Sequence, residues 1–336
     1  MKFLSTILTF FLVILVRAER ETDQPVLNLQ KEELTTSAPS IPCHFEGELA
    51  AISENGSKQR PLNRNFQCGV RPHMRMRRIV GGKDSTFGAW PWQVLIRELT
   101  PNCSVTQYKY GGVLISDSYV LTVAHWRPEP NGVLVAVFGE YDLSKDLEPK
   151  KSVTIKVKEI IYHPEFNNRT FDNDLALLKL ERPIQYDTHI VPICLPVHGA
   201  DFTDRIATVS GWGRLRYGGR FPTVLQEVDV PIIENSKCQE MIHKLGYTKM
   251  ILPSTLCAGY DEGEKDSCEG DSGGPLVVQR PDKRWELAGT VSSGIKCAAR
   301  FLPGIYMRTS YHRFWIESII GVANDEKNYM STGRRI

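Results

Sequence analysis

The stretch Lys265-Asp266-Ser267-Cys268-Glu269-Gly270-Asp271-Ser272-Gly273-Gly274-Pro275 constrains this chain more than any other. It sets a serine among three glycines, so the backbone can turn sharply with its N–H groups facing outward. A serine hydroxyl at such a turn is exposed. It is a weak nucleophile until a base takes its proton. A glycine-rich hairpin beside a disulfide is the plainer reading. A catalytic reading requires the rest of the chain to bring a base and an orienting acid to Ser272, and to give Asp266 and Asp271 separate reasons to exist.

Residues 1–18 read as a secretory leader: Lys2, then an apolar run from Phe3 to Val16, then Val16-Arg17-Ala18 as a cleavage site. The run is short for a membrane span, which takes about 20 residues. A signal anchor is the alternative, and no later stretch is apolar enough to span a bilayer. Secretion makes disulfides the expected fate of the eight cysteines, 43, 68, 103, 194, 238, 257, 268 and 297. No zinc-like Cys/His spacing occurs, so no metal and no cofactor is expected. Asn55, Asn102 and Asn168 lie in glycosylation sequons. Charge is balanced, 41 Lys+Arg against 39 Asp+Glu, which gives no argument for nucleic-acid binding.

Residues 19–67 have the composition of a linker, polar and proline-containing without a sustained apolar period. The character changes at Ile79-Val80-Gly81-Gly82, after Arg75-Met76-Arg77-Arg78. From there short strand-like runs recur between turns. Val133, Val135 and Val137 alternate, as do Val153, Ile155 and Val157. Leu175–Leu180, Leu225–Ile233 and Trp285–Val291 follow. Such spacing predicts an all-β barrel or sandwich. Residues 311–322 predict a C-terminal helix, with Phe314, Trp315, Ile316, Ile319 and Ile320 on its apolar face. Residues 325–336 form a polar tail.

Three segments converge on the chemistry. Val120–His125 ends an apolar strand on a histidine, Asp172–Leu178 starts one with aspartates, and Asp271-Ser272-Gly273 is the turn described above. The order His, Asp, Ser is that of the chymotrypsin type. Together with Ile79–Gly82 and Ser210-Gly211-Trp212-Gly213, these motifs resemble the trypsin-like serine proteases over about residues 79–322. Cys68–Pro72, Phe87–Trp92, His189–Cys194 and Gly294–Ala298 look more particularly like arthropod extracellular proteases of the stubble and filzig kind.

The resemblance implies two six-stranded antiparallel β-barrels with a C-terminal helix, in a protease domain at 79–324 preceded by a pro-segment at 19–78. It implies His125 as general base, Asp174 as its orienting acid, Ser272 as nucleophile, and the N–H groups of Gly270 and Ser272 as oxyanion donors. Asp266 would floor the specificity pocket and select Arg or Lys, with Gly294 and Gly304 as open walls. Cleavage of Arg78–Ile79, by an upstream trypsin-like protease or a convertase, would free an ammonium to pair with Asp271. The partners implied are protein substrates, that activator and serpin-type inhibitors.

The implied disulfides are Cys238–Cys257, Cys268–Cys297 and Cys68–Cys194, the last tethering the pro-segment as a light chain. Cys43 and Cys103 remain, to pair with each other, stay free or bridge to another molecule. Two usual bridges are replaced, one by Tyr110 and Trp126, the other by Ala207 and Val278. Glu269 stands where glutamine is common and is expected to disfavour acidic substrates, while Ser293 and Lys296 also depart from the pattern. Lys150 falls near an expected carboxylate of the calcium loop, so calcium is not expected. The chain thus reads as a secreted, zymogen-activated endopeptidase. A non-catalytic or attenuated homologue that binds or regulates is the second reading.

Overall fold

The computed structural model of the chain describes residues 66–72, 83–100, 104–129, 132–145, 148–263, 266–294 and 296–321. The leader, most of the pro-segment, Arg78, Ile79, Cys43, Cys103, Asn55, Asn102 and the polar tail lie outside the described residues.

Two antiparallel barrels hold most of the strands. The first is built from β2 (Gln93–Leu99), β3 (Val105–Leu114), β4 (Tyr119–Thr122), β5 (Val133–Phe138), β6 (Val153–Tyr162) and β7 (Ala176–Leu180). It closes in the order β2-β3-β4-β7-β6-β5, with β5 returning to β2. The valine alternation in β5 suggested one buried face, yet Leu134 through Phe138 are all buried. The strand is covered on both faces, so its in-between residues are apolar too. In β6 only Ile155 is fully buried, closer to the alternating expectation.

The second barrel contains β8 (Ile206–Gly211), β9 (Gln226–Ile233), β10 (Thr255–Ala258), β11 (Pro275–Gln279), β12 (Trp285–Ser293) and β13 (Gly304–Arg308). Its circuit closes where β9 pairs with β8. A two-residue strand, β1 (Lys83–Asp84), extends it by pairing with the start of β9. Ala207 and Val278, which replace a usual bridge, sit fully buried in one apolar cluster of this barrel.

Two helices complete the described fold. Helix α2 (Thr309–Ile320) buries Ile316 and partly buries Trp315, Ile319 and Ile320. Phe314 departs from the expectation: it is exposed and stacks on His198. Residue 314 is two positions from Ile316, and positions two apart do not share a helix face. Helix α1 (Asn235–Lys244) was not foreseen. Its apolar stripe is only Cys238, Met241 and Ile242, and the Cys238–Cys257 disulfide fastens it to β10. Among the described residues no helix is long and apolar enough to cross a membrane.

Residues 66–72 are built into the back of this body. Cys68 is bonded to Cys194, and Gly69 exchanges backbone hydrogen bonds with Pro192 and Trp285 at 2.8 Å each. The Arg71 guanidinium lies between two indoles, 4.0 Å from the Trp90 ring centre and 5.2 Å from that of Trp285. Burial lowers its pKa to about 10, against the pull of Glu227 and Asp229, so it stays charged at neutral pH. A partly desolvated cation on aromatic faces contributes roughly 1–2 kcal/mol. Arg71→Ala is therefore expected to lower the thermal midpoint by about 2–4 °C per kcal/mol lost. Arg71→Lys should recover part of it, as calorimetry of the full chain would show.

Candidate active site

His125 follows β4, Asp174 precedes β7 and Ser272 precedes β11, so the three candidates stand at strand ends of both barrels. Asp174 has no exposed surface. One carboxylate oxygen accepts from the backbone N–H of Ala124 at 2.9 Å and of His125 at 2.7 Å. The other lies 2.7 Å from His125 Nδ1 and accepts from the Ser292 hydroxyl at 2.7 Å. Four polar neighbours make a buried carboxylate tolerable. They also fix the imidazole with Nδ1 toward Asp174 and Nε2 away from it. Phe171 packs on the His125 ring at 5.3 Å between centres.

The Ser272 turn is clamped between the barrels. The Ser272 carbonyl accepts from Gly111 N–H of β3 at 2.8 Å, and Gly273 N–H donates to Val291 of β12 at 2.7 Å. Gly111 in turn accepts from the Thr122 hydroxyl at 2.8 Å, three residues before His125. Gly270 adopts φ +97°, where a side chain is strained. A Cβ there would also strike the Phe221 ring. Among the described residues no acceptor takes the N–H of Gly270 or of Ser272, and no hydrogen bond joins His125 to Ser272. Catalytic hydrogen bonds are often loose before substrate binds and tighten afterwards.

Two carboxyls lie behind the turn. Asp271 is buried and accepts from Gly213 N–H at 2.7 Å and Cys268 N–H at 2.9 Å. Any side chain at Gly211 or Gly213 would overlap it, which gives the Ser-Gly-Trp-Gly stretch its spacing. Desolvation lifts its pKa to about 6. Asp266 keeps some access to water, yet protein atoms crowd its carboxyl, and burial lifts its pKa to about 7 despite N–H donation from Ala298 at 3.2 Å. A Cβ on Gly304 would stand 2.6 Å from Asp266 Oδ1, so only glycine leaves that carboxylate approachable. Gly294 borders open space. The Cys268–Cys297 disulfide ties the Asp266 segment to the one that follows Gly294. A cavity of about 450 Å³, lined in part by Lys83, Gly213, Glu227 and Ala298, reaches both Asp266 and Asp271.

Several expectations shift on contact with this geometry. Tyr110 and Trp126 do pack where a bridge is missing, ring centres 5.0 Å apart. Glu269 is not a bare charge, because Arg214 Nε donates to it at 2.8 Å. Lys150 donates to Asp187 at 2.6 Å and to Thr188 at 3.0 Å, pinning its loop from within. Among the described residues no cluster of three acidic, His or Cys side chains is placed to hold a metal ion. Asn168 is exposed, three residues from Phe171. Ser292, Arg214 and Phe221 escaped the sequence reading: a serine two residues before Gly294 and an Arg/Gly-rich loop carry no spacing signal of their own.

A buried carboxylate thus orients the His125 imidazole in the same seam as the glycine-rich turn that carries Ser272. The Trypsin family model matches residues 79–316, and the chain belongs to this family of serine proteases. It is 64% identical over 256 residues to serine protease filzig of Drosophila melanogaster, covering 76% of this chain and 15% of that protein. It is 42% identical over 256 residues to serine proteinase stubble of the same fly, covering 74% and 32%. Suppressor of tumorigenicity 14 protein homolog of Bos taurus is 38% identical over 263 residues, covering 76% and 30%. The chain thus spans under a third of each of these relatives.

The two raised pKa values predict a pH dependence with a definite sign. Folded, both carboxyls hold their protons to about pH 7 and 6; unfolded, they release them near 3.8. The folded state binds more protons in that window, so the contribution of these groups falls as pH rises from about 4 through 7. Asp266→Asn and Asp271→Asn should each flatten the fall seen in denaturation titrations of the uncleaved chain. Binding of an amidine should behave oppositely, because it needs ionised Asp266. Benzamidine affinity is expected to drop about tenfold from pH 8 to pH 6, the loss expected if one carboxyl with pKa about 7 must be ionised to bind it; a flat profile contradicts the pairing.

Proposed function

We propose that the chain is a secreted, zymogen-activated serine endopeptidase that cleaves protein substrates after Arg or Lys. The observation that carries this reading is the Asp174 carboxylate, 2.7 Å from His125 Nδ1, in the same seam as the clamped Ser272 turn. His125 Nε2 takes the Ser272 proton as Oγ attacks the scissile carbonyl. Asp174 stabilises the resulting imidazolium. The tetrahedral oxygen accepts from the N–H groups of Gly270 and Ser272, each donor worth about 2.7–4 kcal/mol of barrier. His125 returns the proton to the leaving amine. Water then enters, His125 takes its proton, and the acyl group leaves Ser272 by the reverse route.

Selectivity rests on Asp266. An incoming guanidinium replaces the water that its carboxyl loses, and ionises it. Activation rests on Asp271, whose carboxylate would gain an ammonium from Ile79 after cleavage at Arg78. Breaking such a buried pair costs roughly 3–5 kcal/mol, enough to order or release the turn. The reading extends to limited proteolysis outside the cell, with Cys68–Cys194 retaining the light chain.

The test is to cleave the recombinant chain after Arg78 and assay Arg, Lys, Phe and Ala esters. Turnover of the Arg ester is expected, lost by about 10⁶-fold in Ser272→Ala. Absence of any Ser272-dependent turnover refutes the enzyme, and turnover of Phe in preference to Arg refutes the role of Asp266.

A further inference from the structure

The loop that follows Trp212 closes on the oxyanion turn through a ring of contacts. The Arg214 backbone N–H donates to the Glu269 carbonyl at 2.8 Å, and its Nε donates to the Glu269 carboxylate at 2.8 Å. Nη1 of Arg214 donates to the Gly219 carbonyl, which folds the loop back on itself. The guanidinium lies 4.3 Å from the centre of the Phe221 ring. A Cβ built on Gly270 would stand 2.8 Å from Phe221 Cε1 and 3.1 Å from the Gly213 α-carbon, so the two fill the space on that side of the residue. Phe221 and Gly213 thus close the Cβ side of Gly270, which sits at φ +97°, while its covalent neighbour Glu269 is tied to Arg214.

Such a clasp is not required by folding. Phe221 is 44% exposed and the Glu269 side chain 69% exposed, so their burial contributes little core. An ion pair this exposed gives little stability by itself. What the arrangement does is restrict one peptide unit, the one whose N–H is a proposed oxyanion donor. We infer that Arg214 and Phe221 are positioning residues that hold the Gly270 N–H in place for the tetrahedral oxygen, with Glu269 as the anchor between them. This rests on the hydrolase reading of Ser272. It assigns Glu269 a mechanical role, where sequence alone suggested a purely electrostatic one.

Two measurements test it, one independent of turnover. Hydrogen exchange on the cleaved Ser272→Ala protein reads the amides of residues 269–273 directly. Arg214→Ala and Phe221→Ala should speed their exchange about tenfold or more while exchange in β10 and β13 stays unchanged. Arg214→Lys, which keeps the charge but not the fork, should fall between. In the active protein the same variants should lower kcat by about tenfold to a hundredfold, the scale of a misplaced or lost donor, with KM and benzamidine affinity within about twofold. An arginine aldehyde, which forms a tetrahedral adduct on Ser272, should lose affinity in step with kcat. Unchanged exchange at 269–273 overturns the clasp whatever the activity. Equal losses of aldehyde and benzamidine affinity overturn it too, because they report collapse of the pocket. A wild-type protein without turnover refutes the hydrolase reading alone, and the exchange data still decide the clasp.

Discussion

Everything at the junction of the two barrels depends on solvating one charge without water. The Asp174 carboxylate has no exposed surface, and an uncompensated charge there would cost several kcal/mol. The protein meets that cost with groups from three places: the backbone after β4, the imidazole of His125 and the hydroxyl of Ser292 from the second barrel. The same bonds that solvate the carboxylate fix the distance between the barrels. Barrel packing and histidine orientation are thus one constraint, and a loss of either would be felt at the other.

The two carboxyls behind the Ser272 turn pose the opposite problem. Asp266 and Asp271 are short of cationic partners among the described residues, and burial raises both. Asp266 keeps partial access to solvent, while Asp271 faces inward on backbone amides. A carboxyl that is comfortable only when paired makes its surroundings responsive to whatever brings the positive charge. Glycines at 211, 213 and 304 are the steric condition for both sites, since any side chain there would occupy the carboxylate's own space.

The motifs were legible because they are local. His125, Asp174 and the Ser272 turn sit in short stretches whose residue types are dictated by backbone geometry, and the strand rhythm told the fold class. The helix at Asn235–Lys244 was not legible, because a stripe of three apolar residues and a disulfide suffice to hold it. Phe314 was misassigned because Phe314, Trp315 and Ile316 are consecutive, and steps of about 100° per residue carry three in a row around more than one helix face. Ser292, Arg214 and Phe221 act across 118, 55 and 49 residues of sequence respectively. Partnerships at such separations leave no periodic trace. The charge of Glu269 was visible, but not the arginine that occupies it.

The seating of Arg71 between Trp90 and Trp285 has a consequence for how this protein can be cut down. Those indoles form the floor on which residues 66–72 lie, along with Pro192 and the Cys194 sulfur. A fragment starting at Ile79 would uncover both tryptophans at once and leave an unpaired cysteine beside them. It would acquire a sticky, oxidisable rear surface of the kind that drives association between copies. The smallest unit that keeps this rear face covered and Cys194 paired therefore begins upstream of Cys68.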